Sequence, residues 1–464
     1  MVYKLDITDL YVKLSLFSPW LSMKVTILTV GTRGDVQPCI ALGQAIQESG
    51  HTVSIAAPVD YQPLLENSPL EFFPIHRKFR DIYNRGSNKF YLKQKITPLH
   101  FLFSRRKRVQ PIIDDIVNDL VQACTGSDVI LYTALAMPAH TIAEHLGIAS
   151  IALCLQPLSR TTTFPSVFIN PSINFGFLNY ASHFLVEKAL YLFFRASIQK
   201  WRNKSVTPEK PSSYYSKNYH HREYPVLNGF SSHLVSKPAD WGDRKHITGF
   251  WFLREHSSKQ KPSAKLRKFL ENGEPPVCID FGSMNDCRVE QRILTALEAL
   301  RQLGKRVVLI QSSGVTKNHG NLDNKEVFVT SEVSHSWLFS RVCAVISHGG
   351  AGTIAAALQA GVVSIVVPFF FDQQFWGNTL ASLGVGPQPI DEKKFSVTSI
   401  KKAINDAVAK RKFEEKLLNL SEKIGEENGL KNAVRAFEYE ASCLLNQKPE
   451  IRETHARRKI RKFT

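Results

Sequence analysis

The sequence predicts an α/β protein built from two doubly wound domains that face each other across a cleft. Three observations carry this expectation. Short apolar runs of β character alternate with helical apolar spacing along nearly the whole chain. The alternation restarts in the second half after a polar stretch. Three of the expected strands also run into glycine-containing turns that open helices, at residues 31–35, 282–285 and 349–352.

In chain order, residues 24–30 (KVTILTV) read as a buried strand, 36–49 as a helix stopped by Gly50, and 51–57 as a second strand. That βαβ unit implies a parallel sheet. Helices follow at 111–123 and 138–146 and strands at 128–132 and 149–154. Between Thr161 and Trp201 the pattern turns aromatic and irregular. This segment is either a helix packed on the sheet or an apolar acceptor pocket or membrane-facing flap. Residues 241–262 read as a linker between a first domain at 23–240 and a second at 263–430. In the second domain, helices are expected at 264–271, 289–303 and 401–418, and strands at 276–281, 306–311, 342–346 and 362–367. Residues 431–464 hold a closing helix and a basic tail, and residues 1–22 read as a dispensable extension ahead of Met23.

Composition narrows the class. At 464 residues, with 43% hydrophobic and 22% charged residues, the chain is globular, and disorder and fibrous classes are excluded. The seven cysteines are scattered without a C-x-x-C pair, which speaks against a zinc site or a disulfide framework and suits a cytoplasmic setting. No run is long and apolar enough to span a bilayer. A net charge of +18 fits either plain solubility or attraction to an anionic surface, with peripheral contact to a membrane as one form of it. Basic clusters at 77–80 and 105–108 belong to the same half as the aromatic segment. Nucleic acid is not expected as a partner, because no recognised module is present.

The chemistry centres on residues 342–378. Here a strand, a glycine turn, a helix and a second strand point backbone N–H groups and a positive helix end at one spot, an arrangement that holds phosphate. Gly349, Gly350 and Gly352 offer those N–H groups. His348 is a donor to a diphosphate oxygen or a histidine satisfied within its turn. Thr353 is a phosphate ligand, the helix N-cap, or both. Asp372 and Gln373 offer acceptors and an amide donor suited to sugar hydroxyls, unless they form an ordinary polar loop. Ser283 is a second contact near phosphate or sugar. The pattern suits a nucleotide-diphosphate sugar. In the first half, Asp35 is either an N-cap or a base that takes the proton of an attacking hydroxyl. No D-x-D pair occurs, so neither a metal nor another cofactor is expected, and the helix end must carry the diphosphate charge.

These motifs resemble a known family. GTRGDVQP (31–38), HGGAGT (348–353) and PFFFDQQFWG (368–377) are similar to the opening, diphosphate and sugar segments of two-domain UDP-glycosyltransferases of the GT-B fold, with Rossmann-like halves. KPADWGDRKHITGFWFL (237–253) and ALAMPAHTIAEHLGI (134–148) are similar to its sterol 3-beta-glucosyltransferase branch. The resemblance implies inverting transfer of glucose from UDP-glucose to a lipophilic alcohol such as a sterol. It implies Asp35 beside the acceptor and Thr32, Arg33 and Gly34 at the donor's edge. It places His348, Gly350, Gly352 and Thr353 on the phosphates and Asp372 and Gln373 on glucose. It also implies that the last helix crosses back onto the first domain. Two departures stand out. Residues 333–337 read VSHSW where the family usually has VPHDW, and Asp280 stands where an apolar residue or glycine is more usual. Other acceptors, sugar-nucleotide epimerisation and donor binding without transfer are the competing readings.

Overall fold

The computed structural model describes residues 22–66, 68–76, 106–169, 175–204, 224–253, 262–282, 287–311, 325–331, 333–369, 372–409 and 413–446. Ser283, the 77–80 cluster, the side chains of the 105–108 cluster and the basic tail lie outside this description.

The first half forms a parallel sheet from β1 (Lys24–Leu28), β2 (Thr52–Pro58), β3 (Glu71–Ile75), β4 (Val129–Thr133), β5 (Ala149–Cys154), β6 (Val226–Asn228) and β7 (Lys245–Ile247). Its strand order is β3-β2-β1-β4-β5-β6-β7. Helices α1 (Arg33–Glu48), α2 (Arg106–Cys124), α3 (Pro138–Leu146) and α4 (Gly176–Lys204) connect these strands. β1 and β4 are buried on both faces because helices cover both sides, so their apolar residues run on without alternation.

In the second half, α5 (Ala264–Glu271) precedes β8 (Val277–Asp280), α6 (Cys287–Gln302), β9 (Val307–Ile310), β10 (Val327–Thr330) and α7 (His335–Phe339). Then come β11 (Ala344–Ser347), α8 (Ala351–Gln359), β12 (Ser364–Val366), α9 (Gln373–Leu383), α10 (Val397–Ile404), α11 (Glu414–Glu426) and α12 (Gly429–Asn446). This sheet is also parallel, in the order β10-β9-β8-β11-β12. Each sheet reverses its winding beside its first strand, at β1/β4 and at β8/β11. Ligands of doubly wound sheets sit at the carboxyl ends of strands flanking such a reversal. The turns after β1, β8 and β11 all lie there.

The last helix does cross back. Ala433, Phe437 and Ala441 of α12 are fully buried in the core under α1. Glu440 is buried beside them, paired with Arg244 at 2.5 Å and His246 at 2.7 Å. Where the chain crosses between halves, Glu427 accepts from Ser231 Oγ at 2.9 Å and Ser232 N at 3.0 Å.

Three expectations need correction. The 241–262 linker contains β7, which pairs in parallel with β6 and extends the first sheet. The helix expected at 36–49 begins at Arg33, capped by Thr32. The single helix expected at 401–418 is two: α10 ends at Ile404 in a π turn over Asn405–Ala409, and α11 starts at Glu414. The aromatic segment divides its roles. Phe193, Phe194 and Ile198 of α4 are buried on the sheet, whereas Phe177 and Leu185 near its start are 81% and 60% exposed. Among the described residues, no helix is long and apolar enough to cross a membrane.

Candidate active site

The first wall of the site is the turn after β1. Gly31 adopts φ +151°, and a Cβ there would lie 2.2 Å from Asp35 Oδ2, so only glycine lets the carboxylate close on the turn. Asp35 is not the N-cap. It occupies the third position of α1, and its Oδ2 accepts from Thr32 N at 2.7 Å and Thr32 Oγ1 at 3.1 Å. This is the reciprocal arm of a capping box. Both bonds fall on one oxygen of a half-buried carboxylate. Burial pushes the Asp35 carboxyl above its ordinary range, against the Thr32 bonds that pull it down. Thr32, Arg33 and Gly34 are exposed at the rim, with Arg33 Nε bonded along its own helix to Gln37 at 2.9 Å.

The second wall is the turn after β11. Gly349 has φ +86°, and a Cβ there would meet Val366 Cγ1 at 2.5 Å. The N-cap of α8 is Gly350, not Thr353. Thr353 is the third helical residue and is buried. A glycine cap brings no side chain over the first turn, so the N–H groups of Ala351, Gly352 and Thr353 open toward the cleft. Gly352 has nothing within 4 Å of its Cβ position. The His348 ring lies between two glycines: a Cβ on Gly350 would meet its Nε2 at 2.5 Å, and one on Gly282 its Cε1 at 2.9 Å. The turns after β8 and β11 therefore converge on one imidazole. Burial lowers the His348 pKa, opposed by the charge and main chain of Asp280.

The third element starts α9. Asp372 is buried, and its Oδ2 accepts from Trp376 Nε1 at 2.8 Å. Burial lifts its pKa to about 6, helped by the charge of Asp35 and opposed by bonds from Trp376 and Gln156. Asp35 and Gln156 belong to the first half, so the two halves meet at this carboxylate. Gln373 is buried with Oε1 accepting from Phe369 N at 2.7 Å, which makes its carbonyl end a brace for the loop. Phe164, from the segment after β5, packs on Phe375 of α9 at 5.7 Å and puts an aromatic wall next to Asp372.

Four contributors were not anticipated as site residues. Gln156 lies two residues past the end of β5, and its place at the carboxyl end of a parallel strand was the signal that could have found it. Buried Asp280 pairs with half-buried His335 behind His348. Arg292 of α6 is buried, with Nη1 3.2 Å from the Pro368 carbonyl and its guanidinium 3.7 Å over the Phe369 ring. It holds the segment that leads into Asp372. Arg292→Gln is expected to raise the donor KM about five- to tenfold with kcat within about threefold, since a stacked, desolvated guanidinium is worth roughly 1–2 kcal/mol. Steady-state kinetics with varied donor check this.

The fold and the cleft site define the chain as a GT-B glycosyltransferase. A kitacinnamycin glycosyltransferase superposes with TM-score 0.66 at 18% identity, covering 91% of this chain and all of that one. A Streptomyces glycosyltransferase, SsfS6, complexed with thymidine diphosphate superposes with TM-score 0.59 at 16% identity, over 90% of this chain and 99% of that one. Residues 25–165 match the glycosyltransferase family 28 N-terminal domain, and 295–429 the erythromycin biosynthesis protein CIII-like C-terminal domain. A sterol 3-beta-glucosyltransferase of Arabidopsis thaliana is 30% identical over 89% of this chain and 68% of its own length. One of Debaryomyces hansenii is 30% identical over 91% of this chain, which spans 27% of that relative. The chain belongs to the sterol 3-beta-glucosyltransferase family of glycosyltransferases. It spans about a third or less of the fungal relatives' length.

Proposed function

We propose that the chain transfers glucose from UDP-glucose to the hydroxyl of a sterol or similar lipophilic alcohol, with inversion at the anomeric carbon. The observation that carries this reading is the charge interaction of Asp35 with Asp372 across the cleft, one carboxylate on the acceptor side and the other on the donor side. Asp35 takes the acceptor hydroxyl's proton as that oxygen bonds to the anomeric carbon. The bond from that carbon to the diphosphate oxygen breaks on the opposite face, and UDP departs. The first turn of α8 and His348 stabilise the charge that grows on the leaving group, with no metal required. Asp372 and Gln373 orient glucose. The acceptor side is apolar, as Phe164 and the start of α4 supply aromatic surface.

The exposed Phe177 and Leu185, with Phe175 at 67% exposure, support peripheral contact of α4 with a lipid surface from which such an acceptor is drawn. In this reading the protein works in the cytoplasm, at a membrane face. The kinship with sterol 3-beta-glucosyltransferases supports the acceptor class. The test is incubation with UDP-glucose, UDP-galactose or TDP-glucose against sterols, hopanoids, flavonoids and diacylglycerol, with products identified by mass. A hexosylated sterol formed preferentially from UDP-glucose is the expected result. Hexosylation confined to the flavonoid or diacylglycerol would overturn the acceptor assignment.

A further inference from the structure

Asp280 ends β8 at 2% exposure, directly beneath the diphosphate cradle. One carboxylate ties three segments together. Its Oδ1 accepts from Gly282 N at 2.8 Å, fixing the turn after β8. Its Oδ2 lies 3.1 Å from His335 Nε2, at the start of α7. The His348 ring, from the turn after β11, packs on that same Gly282, and its buried Nδ1 has no hydrogen-bond partner among the described residues. His335 is held in place by stacking on Phe339, with ring centroids 4.8 Å apart.

Burial alone would raise the Asp280 carboxyl. The charge and bond of His335, the charge of His348 and the Gly282 N–H outweigh it and hold the group at about 2, so it stays ionised. The other titratable group noted beside it is Cys278 on its own strand, a buried thiol pushed well up and therefore neutral. Among the described residues, the imidazoles of His335 and His348 are the proton-accepting side chains that face Asp280 from other elements. A fixed negative charge beneath an anion cradle repels a diphosphate unless a histidine is protonated.

We propose that donor binding takes up a proton, with Asp280 as the positioning residue that makes the His335–His348 pair accept it when a diphosphate enters. This rests on the reading that the cradle holds the donor's diphosphate.

The test is calorimetry of UDP-glucose binding at several pH values between 6 and 9, in buffers of differing ionisation enthalpy. UDP-glucose is the probe because its diphosphate, esterified at both ends, does not titrate in this range, whereas free UDP does. The wild type should take up between about half and one proton per donor, with Kd rising up to about tenfold per pH unit above the histidine range. Asp280→Asn should lose most of that uptake and flatten the pH profile, and so bind UDP-glucose more tightly than wild type at pH 9. His335→Gln should also lose uptake, and it serves if the Asp280 variant fails to fold. Binding by the wild type without proton uptake overturns the proposal, as does full uptake retained in Asp280→Asn. No binding of UDP-glucose by the wild type would instead remove the donor reading beneath it.

Discussion

Asp35→Asn is expected to lower kcat by about a thousandfold or more, within the range of 10²–10⁴ for a general base, while UDP-glucose binds as before. The substitution is close to isosteric. Its amide oxygen can still accept from Thr32 N, as the carboxylate does at 2.7 Å, so the start of α1 should hold. What disappears is a group able to take a proton. The pH dependence has a defined sign. Transfer requires the ionised carboxylate, and burial raises the pKa, so the rate should fall with decreasing pH earlier than for an ordinary aspartate. Removing the Asp35 charge also removes one cause of the raised Asp372 pKa, which should fall in this variant. Single-turnover rates with calorimetric donor binding check both points, and an Asp35→Asn enzyme with full turnover would end the assignment.

Asp372→Asn is expected to stabilise the protein at alkaline pH while weakening its hold on the donor sugar. Asp372 goes from the ordinary 3.8 to about 6 on burial. A carboxyl raised in the folded state contributes fully below its unfolded pKa, and that contribution is lost as pH rises through the folded value. Wild type should therefore lose stability between about pH 4 and 6, by an amount on the order of 3 kcal/mol. Asparagine does not titrate, and it can still accept from Trp376 Nε1. The variant should melt above wild type at pH 8, with the gap closing by pH 4. The same variant should bind UDP-glucose at least about tenfold more weakly and UDP nearly unchanged, since only the sugar's hydroxyls lose a charged acceptor. A pH-independent difference in melting temperature would show that Asp372 is not carrying a buried charge. The cost of that charge at neutral pH is the usual trade between stability and a working site.

Local signals made much of this protein legible from sequence. α3 and α5 have the expected bounds because each has plain start and stop residues: Pro138 and Gly147 for one, Ser263 and Asn272 for the other. The glycine turns were legible because the chemistry of phosphate binding needs bare backbone next to a helix start. β7 was not, since three residues reading Lys-His-Ile carry no strand period, and the strand exists only because β6 pairs with it. The start of α1 was read late because Gly34 is a poor helix former, yet the Thr32–Asp35 capping box overrides it. Gln156, Arg292 and Asp280 owe their roles to partners on other elements: Asp372, the 367–369 segment and His335. No spacing along the chain encodes those meetings: the first follows from the docking of the two halves, and the other two from packing around the second sheet.

The anomeric configuration of the sterol glycoside formed from UDP-glucose, read by proton NMR of the purified product, tests the account most directly. UDP-glucose carries glucose in α linkage. A base at Asp35 facing a diphosphate held by α8 and His348 requires attack from the opposite face, so the product should be the β-glucoside. An α-glucoside would contradict a single displacement with Asp35 as base.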